Sequence, residues 1–150
     1  MAKVRVAVDS SGLTTATTAY TDGDILGAEL TFANAVGASG GYSYLVGAIL
    51  GASGDVTGAV DLFLFDQTTT FGSDNGAPSI SDADSDNIVG VIRFPPGIDL
   101  GGVRVASVDS ITVPIKCAVT SLFGRLVTRS GHTFFAAATD LRVTLFFEKE

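Results

Sequence analysis

Few residues in this chain have types and spacing that could do chemistry. The alternating carboxylates Asp82, Asp84 and Asp86, in the stretch SDADSDN, begin as calcium-binding loops begin. Such loops continue with a glycine and close with a bidentate glutamate. Here Asn87 stands at the glycine's place and Arg93 at the glutamate's, so the pattern also fits a solvated loop whose Asp side chains bond their own backbone. A nucleophile needs a base within hydrogen-bond reach, and the chain holds one histidine, His132, in the turn-like stretch SGHTF. His132 and the lone Cys117 lie in unrelated segments and cannot build a zinc site. Cys117, within VPIKCAV, reads as a small buried hydrophobe with no partner for an internal disulfide.

Other chemistries find no purchase. Paired carboxylates for glycoside hydrolysis usually work in an aromatic groove, whereas this chain has no Trp and three Tyr. None of the 18 glycines falls in a phosphate-cradling pattern between a strand and a helix. The reading is a chain without catalytic activity and without a cofactor.

Composition narrows the class. A chain of 150 residues is expected to fold as one domain, 1–150, with a core large enough to need no disulfide or metal staple. Net charge is −7, and nine Lys and Arg are scattered singly, which predicts no nucleic-acid partner. The N-terminus alternates charged and apolar residues without a signal-peptide core, and no uncharged apolar run approaches the length of a membrane helix. These features predict a soluble product of the cytosol that binds no membrane.

The segments that must position these groups read almost entirely as strands. KVRVAV places Val4, Val6 and Val8 on one face, and residues 1–20 read as a strand continuing into an extended arm. Leu26, Ala28, Leu30 and Phe32 alternate in a second strand. In the next, Tyr42, Tyr44, Val46, Ala48 and Leu50 share a face opposite Leu45 and Ile49. Val60, Leu62 and Leu64 oppose Asp61, Phe63 and Phe65. Ile88 to Phe94 forms the next strand after the long polar loop Asp66 to Asn87, and Pro95-Pro96-Gly97 stops it. Val103 to Val108, Ile111 to Val119, Leu122 to Thr128 and Asp140 to Phe147 complete the set. In the last, Leu141, Val143, Leu145 and Phe147 face inward and Arg142, Thr144 and Phe146 outward. About eight or nine short strands with long crossing loops and no amphipathic helix predict an all-β, antiparallel β-sandwich of jelly-roll type.

Apolar residues on both faces of several strands call for cover on both sides, from a loop, an arm or a neighbouring subunit. Val4, Val6, Phe63, Phe65 and Phe146 are on this ground the expected contacts with other chains.

Four stretches carry a family resemblance: YTDGDILGAELTFANA (Tyr20 to Ala35), VDLFLFD with its Thr-rich continuation (Val60 to Thr70), DADSDNIVGVIRF (Asp82 to Phe94), and LFGRLVTRSG with TDLRVTLFFE (Leu122 to Glu148). Together they resemble the capsid decoration, or cement, proteins of tailed bacteriophages. The resemblance implies a β-sandwich added to the outer surface of an icosahedral head, as a homo-oligomer, most simply a trimer, that bridges major capsid subunits. It carries over no site residues. The alternative of another class is a glycan- or receptor-binding β-sandwich module of a phage fibre.

Overall fold

The computed structural model describes residues 4–9, 15–16, 18–37, 42–52, 58–116, 120–131 and 141–149. Among them run ten strands and one helical turn: β1 (Val4–Asp9), β2 (Ile25–Phe32), β3 (Tyr42–Ala52), β4 (Val60–Phe65), α1 (Asp82–Ser85), β5 (Ile88–Phe94), β6 (Ile98–Asp99), β7 (Arg104–Val108), β8 (Val113–Lys116), β9 (Leu122–Thr128) and β10 (Leu141–Lys149). One sheet has the order β1-β10-β3-β7-β6, with β8 also on β3, and the other has β2-β9-β4-β5. All pairings are antiparallel.

The pairs are nested. First strand joins last (β1 with β10), β2 joins β9, β3 joins β7 and β8, and β4 joins β5. A long hairpin folded over itself in this way is the jelly roll that the strand pattern predicts. Strands β7 and β8 share one position beside β3, at Ala48 to Ala52 and at Tyr42 to Leu45 respectively.

Between the sheets lies a dry core in which Leu30, Phe32, Leu62, Leu64, Phe94 and Leu126 from one side meet Leu45, Leu50, Leu145 and Phe147 from the other. Each such side chain contributes about 1.5–3 kcal/mol on burial. The inward set of β10 is Leu141, Val143, Leu145 and Phe147, as the alternation predicts.

Two strands depart from simple alternation, and in both a bulge is the reason. In β3, Leu45 pairs with Phe147 while Gly47 pairs with Phe146, so Val46 is an extra residue. Facing reverses across it: Leu45 is inward before the bulge and Ala48, Leu50 and Ala52 after it. Tyr42, Tyr44 and Val46 therefore do not share a face with Ala48 and Leu50, contrary to the periodic reading. In β2 the register shifts between Leu26 and Leu30, Gly27 takes φ 77°, and Ala28 is turned to solvent instead of into the core.

The long connection 66–87 lies against the outer face of the four-stranded sheet. Phe71 and Ile80 from this loop close over Ile25, Phe65 and Val127 to make a second apolar cluster, joined at its margin by Phe63, Ile88 and Phe123. Gly72 is required for the close approach: its φ is +128°, and a Cβ there would stand 2.7 Å from Ile25 Cδ1. The loop is pinned at Asp74, whose Oδ1 accepts hydrogen bonds from the Tyr20 hydroxyl (2.7 Å) and the Gly27 N–H (2.6 Å). Beside it, the Ile25 N–H donates to Gly76 O and the Asn75 N–H donates to Ile25 O, each at 2.9 Å, which caps the open edge of β2.

The segment read as an arm is folded down where it is described. Val4–Asp9 is a full strand on β10, and Thr15 and Tyr20 are buried. Burial and the bond to Asp74 push the Tyr20 phenol well above the ordinary tyrosine range.

Candidate interaction surface

Strand β4, VDLFLF, carries a single charge in an apolar run, and the fold buries it. Asp61 lies on the outer face of its sheet, directly opposite Arg93 of β5 and Val127 of β9. Its carboxylate is almost wholly excluded from water. Arg93 Nε donates to Oδ1 at 2.8 Å and Nη2 to Oδ2 at 3.2 Å, and Arg129 Nε donates to Oδ2 at 2.7 Å. Arg129 is held just past β9 by its own N–H, which donates to Ala59 O at 2.9 Å. Burial alone would raise the Asp61 carboxyl, but the bonds and charges of Arg93 and Arg129 outweigh it and hold the group below its ordinary value.

A second ionic group on the same face serves the loop. Arg125 Nη2 lies 3.4 Å from Glu29 Oε2 and donates to the Thr69 carbonyl at 2.9 Å, while the Thr69 N–H donates to Glu29 Oε2 at 3.2 Å. The Arg125 guanidinium also sits 6.0 Å above the Phe71 ring. Only 12% of the Arg125 side chain reaches solvent, against 73% for Arg93 and 41% for Arg129. Arg125 is spent inside the molecule, whereas the Asp61 pair of arginines looks outward.

Apolar side chains meet water elsewhere, on the hairpin that leads from β6 into β7. Its turn is closed by the Leu100 N–H donating to Val103 O at 2.8 Å and stiffened by Asp99, which accepts from the Gly101 N–H. Ile98 is 72% exposed and Leu100 68%, and Val103 is exposed beside them. Strand β6 forms the free edge of its sheet. Behind it, Leu50, Ala52, Gly58, Pro95, Gly97, Arg104 and Ala106 line a shallow depression with room for about one water molecule, far less than a small-molecule site needs.

The residues expected to contact other chains have different fates. Phe65 is fully buried, and the expectation for it is overturned: the chain's own loop covers it, with Phe71 edge-on at 5.9 Å. Phe63 is half-buried against the same ring at 5.8 Å. Phe146 is half-buried on the outer face of β10, opposite Ala7 and Gly47. Val4 and Val6 stand at register positions opposite Lys149 and Phe147, and their side chains lie outside the described residues, as do Cys117 and His132 altogether. Asp82, Asp84 and Asp86 do not sit in an open loop. Ser81 Oγ accepts from the Asp84 N–H at 3.1 Å and caps the turn α1, which runs from Asp82 to Ser85. On a helical turn the middle carboxylate points away from the other two, and the three form no metal-holding group.

The sequence reading missed Asp61 and the β6–β7 tip. Signals for both are present: a lone Asp within VDLFLF, and aliphatic residues set among the Pro and Gly of PPGIDLGGV, where a turn would ordinarily be polar.

No protein-family model and no curated protein matches the chain. Among solved structures it is similar to a chain of tomato aspermy virus, at 8% identity over 97% of this chain and 76% of that one, with a TM-score of 0.39. It is also similar to PRD1 vertex protein P5, at 12% identity over 97% and 95% of the two chains, with a TM-score of 0.38.

Proposed function

We propose that this chain is a virion structural protein, without catalytic activity, that decorates the outer surface of an icosahedral phage capsid. It acts as a homotrimer, made in the host cytoplasm, and bridges neighbouring major capsid subunits. The sequence resemblance to decoration proteins supports this reading, and so does a jelly-roll body, a rigid frame that can present edges and hairpin tips to neighbours.

The observation that carries it is the apolar tip formed by Ile98, Leu100 and Val103. A monomer gains nothing by holding three aliphatic side chains in water on a braced hairpin; a contact with another subunit would bury them. Full burial of Ile98 or Leu100 contributes about 1.5–3 kcal/mol each before the cost of association is met. The test is to mix the purified protein with expanded heads that lack decoration and to image them. Symmetric added density at local three-folds is expected, lost or much reduced with Leu100→Asp. Bare shells with the unaltered protein would overturn the proposal.

A further inference from the structure

The arginine pair on Asp61 has more positive charge than its structural task requires. Arg93 alone meets both carboxylate oxygens, one through Nε and one through Nη2, and so compensates the buried charge in bidentate fashion. Arg129 adds a third bond to Oδ2 and leaves the trio with a net charge of +1, on a chain whose net charge is −7. Beyond these bonds, the remaining guanidinium N–H groups of Arg93 and Arg129 have no side-chain partner among the described residues, and both side chains open to solvent.

Their surroundings define what would fit. Strand β5 ends its sheet. Val91, two residues before Arg93 on the same outer face, is exposed. An extended segment laid over this face would turn alternate residues onto it, one apolar for Val91 and the next for the arginines. A single carboxylate matches the surplus of one charge, whereas a run of phosphates would be repelled by the acidic body. Asp61 already fixes both guanidiniums by their Nε groups, so little freedom is lost when they take a second anion.

We infer that Arg93 and Arg129 form a docking site for a carboxylate side chain on an extended, otherwise uncharged segment of a partner protein laid over the outer face of β4 and β5. This site does not rest on the exposed Ile98 and Leu100 or on the capsid reading.

The test is a titration of the isotope-labelled protein with a short capped peptide of the pattern Val-Ser-Glu-Ser-Val, followed by the side-chain Nε–H signals of Arg93 and Arg129. Saturable shifts of both signals are expected. Replacing Glu by Gln in the peptide should weaken binding about tenfold, the worth of a charge-assisted hydrogen bond. Arg129→Gln should do the same; it keeps the Arg93–Asp61 pair, and backbone amide signals unchanged away from the site would separate lost binding from lost folding. Equal binding of the Gln peptide, or unchanged binding by the variant, overturns the inference. It also fails if a short oligothymidylate moves the same signals at lower concentration than the peptide.

Discussion

Two apolar clusters outside the main core have similar composition and opposite fates. Ile25, Phe65, Phe71 and Val127 lie on the outer face of the four-stranded sheet and are closed to water by the loop 66–87. Ile98, Leu100 and Val103 sit on the β6–β7 hairpin and stay open. Apolar character does not separate them. What does is the connecting chain: the first cluster has a loop long enough to fold back and polar groups to pin it, and the second sits on a turn of a few residues that can cover nothing. A two-faced strand in this fold is therefore a request for cover, and the chain answers it in one place and leaves it unanswered in another.

Mutations can break or sharpen that contrast. The largest effect is expected at the covered cluster: Phe65→Ala should cost about 3–5 kcal/mol in denaturant unfolding, the range for a buried aromatic. Leu100→Ser on the open hairpin should stay within about 0.5 kcal/mol of the unaltered protein. Comparable losses at the two sites would mean that the hairpin is structural after all.

Next in size is the pin itself. Asp74→Ala removes the acceptor of two hydrogen bonds, from the Tyr20 hydroxyl and the Gly27 N–H, and should cost about 1–3 kcal/mol. Amide exchange is the sharper readout. Protection of Ile25 and Gly27 should fall while the strands β3 and β10 keep theirs. If exchange rises uniformly, the loop is not a separate cover but part of one cooperative unit.

The smallest effect is a pH dependence on the part of the same face that the loop leaves uncovered. The Asp61 carboxyl is lowered in the fold from its ordinary 3.8, so its contribution to stability is present above that value and is lost as pH falls through the folded value. Acid titration of Asp61→Asn beside the unaltered chain should show the stability curves approaching one another below about pH 4. Parallel curves would place Asp61 outside the acid response.

Much of the architecture was legible in one dimension. Period-two runs such as Leu141 to Phe147 and Val60 to Phe65 fix strands and their inward sets, because a pleated chain has only two faces and one of them must be dry. The all-β reading and the turns follow from the same runs and from the Gly and Pro between them. Facing failed where both sides of a strand are apolar: the extra residue Val46 reverses the sides of β3, and hydrophobicity on both faces leaves no mark of where the bulge falls. Cover was equally illegible, since the loop that closes over Phe65 is held in place by residues far away in sequence. Asp74 meets Gly27 across 47 residues and Tyr20 across 54. Local pattern sets which residues seek shelter from water; only the closing of long loops onto distant strands determines which of them find it within their own chain.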